Sequence, residues 1–143
     1  VGDGNILPEL KALAERLNIA DKIEFVGLVT RDKVLDYVEQ FDIALQPDVT
    51  DYASPLKMFE YMAVGSVIIA PNSPNIREIL SDKTALFFEK GNQASFITKL
   101  VHAIETIDEL ETLRDSVKQS VLDKQFVWQK NADRIVSILI RQK

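Results

Sequence analysis

The 143 residues contain no cysteine, one histidine and one tryptophan. Without cysteine there is no disulfide framework and no thiolate metal site, and a cytosolic compartment is permitted. The single His102 supports neither a histidine-based metal centre nor a serine–histidine–aspartate set. Positive charge is in deficit: 17 Lys and Arg against 22 Asp and Glu leave a net charge of −5, which argues against nucleic-acid binding, since that normally shows a basic surface. No run approaches the ~18 apolar residues that a membrane span needs, and no signal peptide opens the chain. Internal repeats, low-complexity segments and linkers are also lacking. What remains is 46% hydrophobic and 27% charged, the composition of an ordinary globular domain with a full core.

The apolar pattern alternates between two periods. Leu7, Leu10, Leu13, Ala14 and Leu17 mark one face of a helix with Pro8 near its start and Asn18 near its end. Ile23-Glu24-Phe25-Val26 reads as a short strand stopping at Gly27. Thr30 caps a second helix running to about Gln40. Phe41 to Leu45 is the next strand, ended by Pro47. Strand Val67 to Ala70, a short helix Asn75 to Leu80 and strand Ala85 to Phe88 follow. From Gln93 onward the pattern is helical, near Gln93 to Glu105, Asp108 to Val121 and Phe126 to Arg141, with Trp128 as a packing anchor of the last. Strands alternating with helices predict an α/β fold, a Rossmann-like, doubly wound parallel sheet with helices on both faces and a helical C-terminal tail. Ligands bind such sheets outside the carboxyl ends of the strands, where the loops at 2–4, 27, 46–54 and 71–74 are expected to gather. Val1-Gly2-Asp3-Gly4 looks like the end of a strand and its turn, so the chain is expected to be a fragment of a longer protein with its first strand or strands missing.

One stretch carries chemistry. Ser54 to Gly65 reads as a helix with Ser54 as N-cap, Pro55 at the first position and Gly65 as a left-handed C-cap. Lys57 then falls where the helix dipole is positive and an acid is favoured. A cation there makes sense beside a bound anion, and a helix N-terminus is itself an anion site. Glu60 is the only charge between Met58 and Val64, and a carboxylate in apolar surroundings must be paired or hydrogen-bonded. Phosphate at the helix mouth and hydroxyls at Glu60 satisfy both, as in a nucleotide. The plainer alternatives are a Lys57–Glu60 intrahelical pair and a snorkelling Lys57. Gly2 and Gly4 form a tight turn or allow a ligand to approach closely. Asp42 reads as a structural turn or cap residue, and Arg77 with Glu78 as a surface pair or helix cap.

The order of these motifs resembles the C-terminal domain of a GT-B fold, group 1 (family 4) retaining glycosyltransferase. The matching pieces are Val1-Gly2-Asp3-Gly4 with Leu10, Ile23 to Gly27, Phe41 to Pro47, Ser54 to Ala70, Asn75-Ile76-Arg77-Glu78-Ile79, and Phe126-Val127-Trp128. The resemblance implies a nucleotide-diphosphate-sugar donor, with Glu60 on the ribose hydroxyls, the amides near Leu56 and Lys57 on the diphosphate, and the main chain near Val29 at the base. The family signature has two glutamates with seven residues between them. The second matches Glu60, whereas the first falls at Tyr52, and Asp51 can substitute only if the loop shifts. The resemblance further implies retaining glycosyl transfer to an unknown acceptor, no metal or other cofactor, and a separate N-terminal acceptor domain as partner. That half would bring any membrane association, so the expected location is cytoplasmic, at most peripheral to the membrane. It places no certain catalytic residue within these 143 residues, so the fragment alone is expected to be inactive. Two alternatives stay open: a degenerate, non-catalytic domain that binds a sugar, nucleotide or protein, and another GT-B enzyme such as a nucleotide-sugar epimerase or a sugar phosphorylase.

Overall fold

The computed structural model describes residues 1–53, 55–124, 126, 130, 132, 133 and 137. The chain divides into two compact units, Val1–Gln40 and Phe41–Lys143.

The first unit holds helix α1 (Leu7–Arg16), a 3-10 turn (Ala20–Lys22) and a short helix α2 (Val34–Val38). Pro8 sits in the first turn of α1 and Arg16 in its last, consistent with the fixed φ of proline and the dipole preference for a cation at the carboxyl end. Asn18 then adopts a left-handed φ of 53°, a conformation that asparagine tolerates. Ala14 is buried, whereas Leu10, Leu13 and Leu17 of the expected apolar face stay exposed. The expected strand at Ile23 to Val26 does not form. Among the described residues its surroundings offer one antiparallel bridge, Gly2 to Gly27, with the Gly2 amide donating to the Gly27 carbonyl at 2.7 Å. A strand without a ladder partner leaves its backbone groups unpaired and is not stable. Helix α2 is shorter than expected, because Thr30 closes a turn through its carbonyl to the Lys33 amide instead of starting the helix.

The second unit contains β1 (Ile43–Leu45), α3 (Lys57–Val64), β2 (Val67–Pro71), α4 (Pro74–Ile79), β3 (Leu86–Phe88), α5 (Gln93–Glu105), a 3-10 turn (Ile107–Glu109) and α6 (Glu111–Asp123). The strands are parallel in the order β1-β2-β3, with Ile43 beside Val67 and Ile69 beside Leu86. All five residues of β2 are buried, as a central strand covered on both faces requires. Alternate residues serve opposite layers. Ile68 and Ala70 meet Met58 and Met62 of α3, Ile76 of α4 and Val117 of α6. Val67 and Ile69 meet Ala103 of α5 together with Phe88, Phe96 and Leu100. The unit is thus an α/β, Rossmann-like sheet with helices on both faces.

Helix α6 holds the layer over α3 and α4 by reaching their carboxyl ends. Arg114 Nε donates to the Gly65 carbonyl at 3.1 Å, and Lys124 Nζ to the Ile79 carbonyl at 2.7 Å. Both cations lie at the negative pole of a helix. Gly65 has φ 78° and its amide returns to the Tyr61 and Met62 carbonyls, the left-handed cap expected from its position. The tail is helical through α6. The expected helix Phe126 to Arg141, with Trp128, lies outside the described residues except at isolated positions. Of these, the Phe126 ring meets Phe59 edge-on at 5.1 Å.

Candidate functional site

The carboxyl ends of the three strands open onto the 46–56 loop, Asn72 and Glu89. Parallel strands bring these segments to one edge, and the contacts follow: the Asn72 amide donates to the Phe88 carbonyl at 2.8 Å, and Lys90 pairs with Asp51 at 2.5 Å. Gln46 continues β1 by one hydrogen bond, its amide donating to the Ile69 carbonyl at 3.0 Å. Its side chain is 5% exposed and donates to the Asp48 carbonyl, while its Oε1 finds no partner among the described residues.

The loop delivers the chain to α3, whose start differs from the sequence expectation. Ser54 lies outside the described residues, so the capping role given to it is not placed. The N-cap position belongs to Leu56, already helical at φ −58° and ψ −33° and without a side-chain cap. The Met58 and Phe59 amides bond three residues back, to the carbonyls of Pro55 and Leu56. Pro55 therefore opens a tight preliminary turn, and Lys57 becomes the first helical residue instead of the third. The correction brings Lys57 nearer the positive pole. Among the described residues, the amides of Leu56 and Lys57 make no hydrogen bond. That end of α3 is open, while the opposite end is closed by Gly65 and Arg114.

Glu60 is half-buried. Met58 and Met62, four residues apart, face the sheet and are fully buried. Glu60 therefore lies on the opposite side of the helix, with Lys57 and Val64. The intrahelical pair considered from the sequence is not formed: among the described residues neither the Lys57 nor the Glu60 side chain has an ion pair or hydrogen bond. Burial raises the pKa of the neighbouring Tyr61 phenol, and the Glu60 charge adds to that rise. Pro55, Leu56, Lys57 and Glu60 thus come together on one turn and its approach.

The remaining expected residues lie in the first unit. Gly2 has φ 120° and Gly27 φ 76°, so both need the freedom of glycine for the turn that their bridge closes. Gly4 has an ordinary φ, and its amide donates to Asp3 Oδ1 at 2.8 Å. Val29 is half-buried, two residues past Gly27.

Several groups at the strand ends were not legible as a site. Tyr52, where the family's first glutamate is expected, is 92% exposed. Asp51, its potential substitute, is engaged with Lys90. Arg77 does not pair with Glu78: it donates to Asn72 Oδ1 at 2.7 Å, pairs with Asp82 at 2.9 Å and lies 3.6 Å over the Phe87 ring. Asn75 reaches the 46–53 loop, its Nδ2 donating to the carbonyls of Thr50 at 3.1 Å and Ala53 at 2.6 Å. The one sequence signal for it is a polar side chain just after Ser73-Pro74, where a helix begins. An open cavity of about 660 Å³ is lined by residues that include Ser81, Thr84, Lys118 and Gln119, none of them on α3.

The family model described as "Glycosyl transferases group 1" matches residues 1–106. The chain belongs to the group 1 glycosyltransferases. Over 110 residues it is 27% identical to the alpha-monoglucosyldiacylglycerol synthase of Streptococcus pneumoniae, which covers 76% of this chain and 25% of that protein. Among solved structures, sucrose-phosphate synthase from Thermosynechococcus elongatus superposes with a TM-score of 0.78 at 19% identity, over 94% of this chain and 33% of that one. A glycosyltransferase from Rickettsia africae gives 0.78 at 19% identity, over 94% and 37%. Anabaena Alr3699/HepE, solved in complex with UDP, gives 0.75 at 16% identity, over 92% and 36%. This group 1 chain therefore spans a quarter to just over a third of the relatives that it matches, and its fold is that of the C-terminal domain of GT-B glycosyltransferases.

Proposed function

We propose that this group 1 domain binds the nucleotide-diphosphate-sugar donor of a retaining glycosyl transfer. The observation that carries the reading is the asymmetry of α3: one end is closed by Gly65 and Arg114, and the other is open at Leu56 and Lys57, with Lys57 and Glu60 both unpartnered among the described residues. In this reading the free amides and Lys57 take the diphosphate, Pro55 shapes the turn that exposes them, and Glu60 accepts hydrogen bonds from the ribose hydroxyls. Charge developing on the leaving diphosphate would meet the same preorganised donors. No metal is required for that role, so chelation should leave affinity unchanged. Membership of the group 1 family supports the reading, as does a structural neighbour solved with UDP. Gly2, Gly4 and Val29 are not needed for it.

Isothermal calorimetry with UDP, GDP and ADP, each against its nucleoside, tests the proposal. At least one diphosphate should bind, and more tightly than the nucleoside; no binding by any of the three would refute it. The exposed Tyr52 and the engaged Asp51 favour a second reading, a domain that binds the donor without turning it over. Donor binding without transfer or donor hydrolysis by the full-length protein would select that reading.

A further inference from the structure

The open end of α3 is useful only if the chain leading to it is held still, because a helix mouth on a wandering loop must be ordered at each binding event. The turn just before it is Thr50-Asp51-Tyr52-Ala53, closed by the Ala53 amide donating to the Thr50 carbonyl at 3.1 Å. Asn75, more than twenty residues away on α4, spends both amide hydrogens on this turn, on the carbonyls of Thr50 and Ala53. Its Oδ1 accepts from Ser73 Oγ at 2.7 Å, and Ser73 is 2% exposed. Ser73 thereby fixes which way the amide faces, with its hydrogens toward the turn. Lys90 grips Asp51 from the end of β3. The turn is tied to two separate elements of the sheet edge, and Ala53 stands two residues before Pro55, where the approach to α3 begins.

We propose that Asn75 is a positioning residue of the donor site, a clamp that sets the 50–53 turn and through it the open end of α3; this rests on the donor reading above. The chemistry makes the role specific. An aspartate in the same place has nearly the same shape but sets acceptor oxygens against two carbonyl oxygens, converting the clamp into a repulsion. Arg77, on the same helix, has its own bonds to Asn72, Asp82 and Phe87, none to the turn.

The test compares wild type, Asn75→Asp and Arg77→Ala in the full-length protein by hydrogen exchange and by calorimetry with UDP, GDP and ADP. Asn75→Asp should speed amide exchange over residues 50–59 and weaken the binding nucleotide about tenfold or more, on the scale of lost preorganisation. Arg77→Ala should change neither, even where it lowers Tm as much. Unchanged exchange at 50–59, or faster exchange with unchanged affinity, would overturn the role. A wild type that binds no nucleotide would defeat the donor reading and this role with it; the exchange data would still report separately whether the clamp exists. Should Asn75→Asp not fold, Ser73→Ala, which only frees the amide to rotate, should give a smaller change in the same two measurements, and no change in either would count equally against the proposal.

Discussion

Replacing Glu60 with glutamine removes one charge and almost no volume from the half-buried side of α3. Because the Glu60 side chain has no ion pair or hydrogen bond among the described residues, the folded protein forfeits no internal partner, and stability should stay within about 0.5 kcal/mol, as for substitutions away from bonded networks. The ligand loses more. A hydrogen bond to a charged acceptor contributes about 1.5–3 kcal/mol, and each ~1.4 kcal/mol is tenfold in Kd, so nucleotide affinity should fall roughly 10- to 100-fold. The nucleoside should lose by a similar factor, since Glu60 is assigned to the ribose and not to the phosphates. Glutamine also removes the lesser of the two influences that raise the Tyr61 pKa, leaving burial as the main one; the phenol should then titrate lower than in wild type but still above the ordinary tyrosine range. Calorimetry gives the affinities and a urea titration the stability. An unchanged Kd at unchanged stability would refute the assignment of Glu60 to the ligand. A large stability loss would show instead that the carboxylate has an internal role.

Gly65→Ala should destabilise the fold by about 1–2 kcal/mol, the cost of a left-handed φ for an L residue. Its new Cβ would also lie 2.3 Å from Lys118 Cε, forcing that side chain off α3; a urea midpoint equal to wild type would contradict this. The alkaline limb of the stability curve should depend on Tyr61. Its folded pKa lies above that of the unfolded chain, so the unfolded state releases its proton first. Stability is complete below the usual tyrosine pKa of about 10 and falls as pH rises through and beyond it. Tyr61→Phe should flatten that fall in Tm measured from pH 8 to 11; an equally steep fall would argue against it.

Much of the fold was legible because its information is local. The buried run Val67 to Ala70 read as a strand with no polar alternation, and it is the central strand. Gly65 ended its helix as expected, since only a residue free of Cβ accepts that φ cheaply. Errors arose where the outcome depends on partners. Ile23 to Val26 had strand composition but no ladder to join, and Pro55-Leu56 supported a tight turn as readily as a first helical turn, moving the helix start to Lys57. The candidate site was half legible. Lys57 and Glu60 stood out as charges of the wrong kind for their places, yet their lack of mutual pairing needed coordinates. Asn75 and Lys90 were invisible as groups that hold the site, and Arg77 was misread as a partner of Glu78, because bonds such as those from Asn75 to Thr50 and Ala53 join positions 25 and 22 apart and leave no trace in periodicity.

The closed rear of α3 has a thermodynamic corollary. With the Tyr61 and Met62 carbonyls bonded by Gly65 and Ser66, and the Gly65 carbonyl by Arg114, the rear of the helix resists fraying whether or not the proposed anion occupies the front. Its field at the mouth is therefore built during folding and does not have to be induced at each encounter. Salt dependence of binding should then report the anion's own counterions, with no added contribution from rearrangement of this helix.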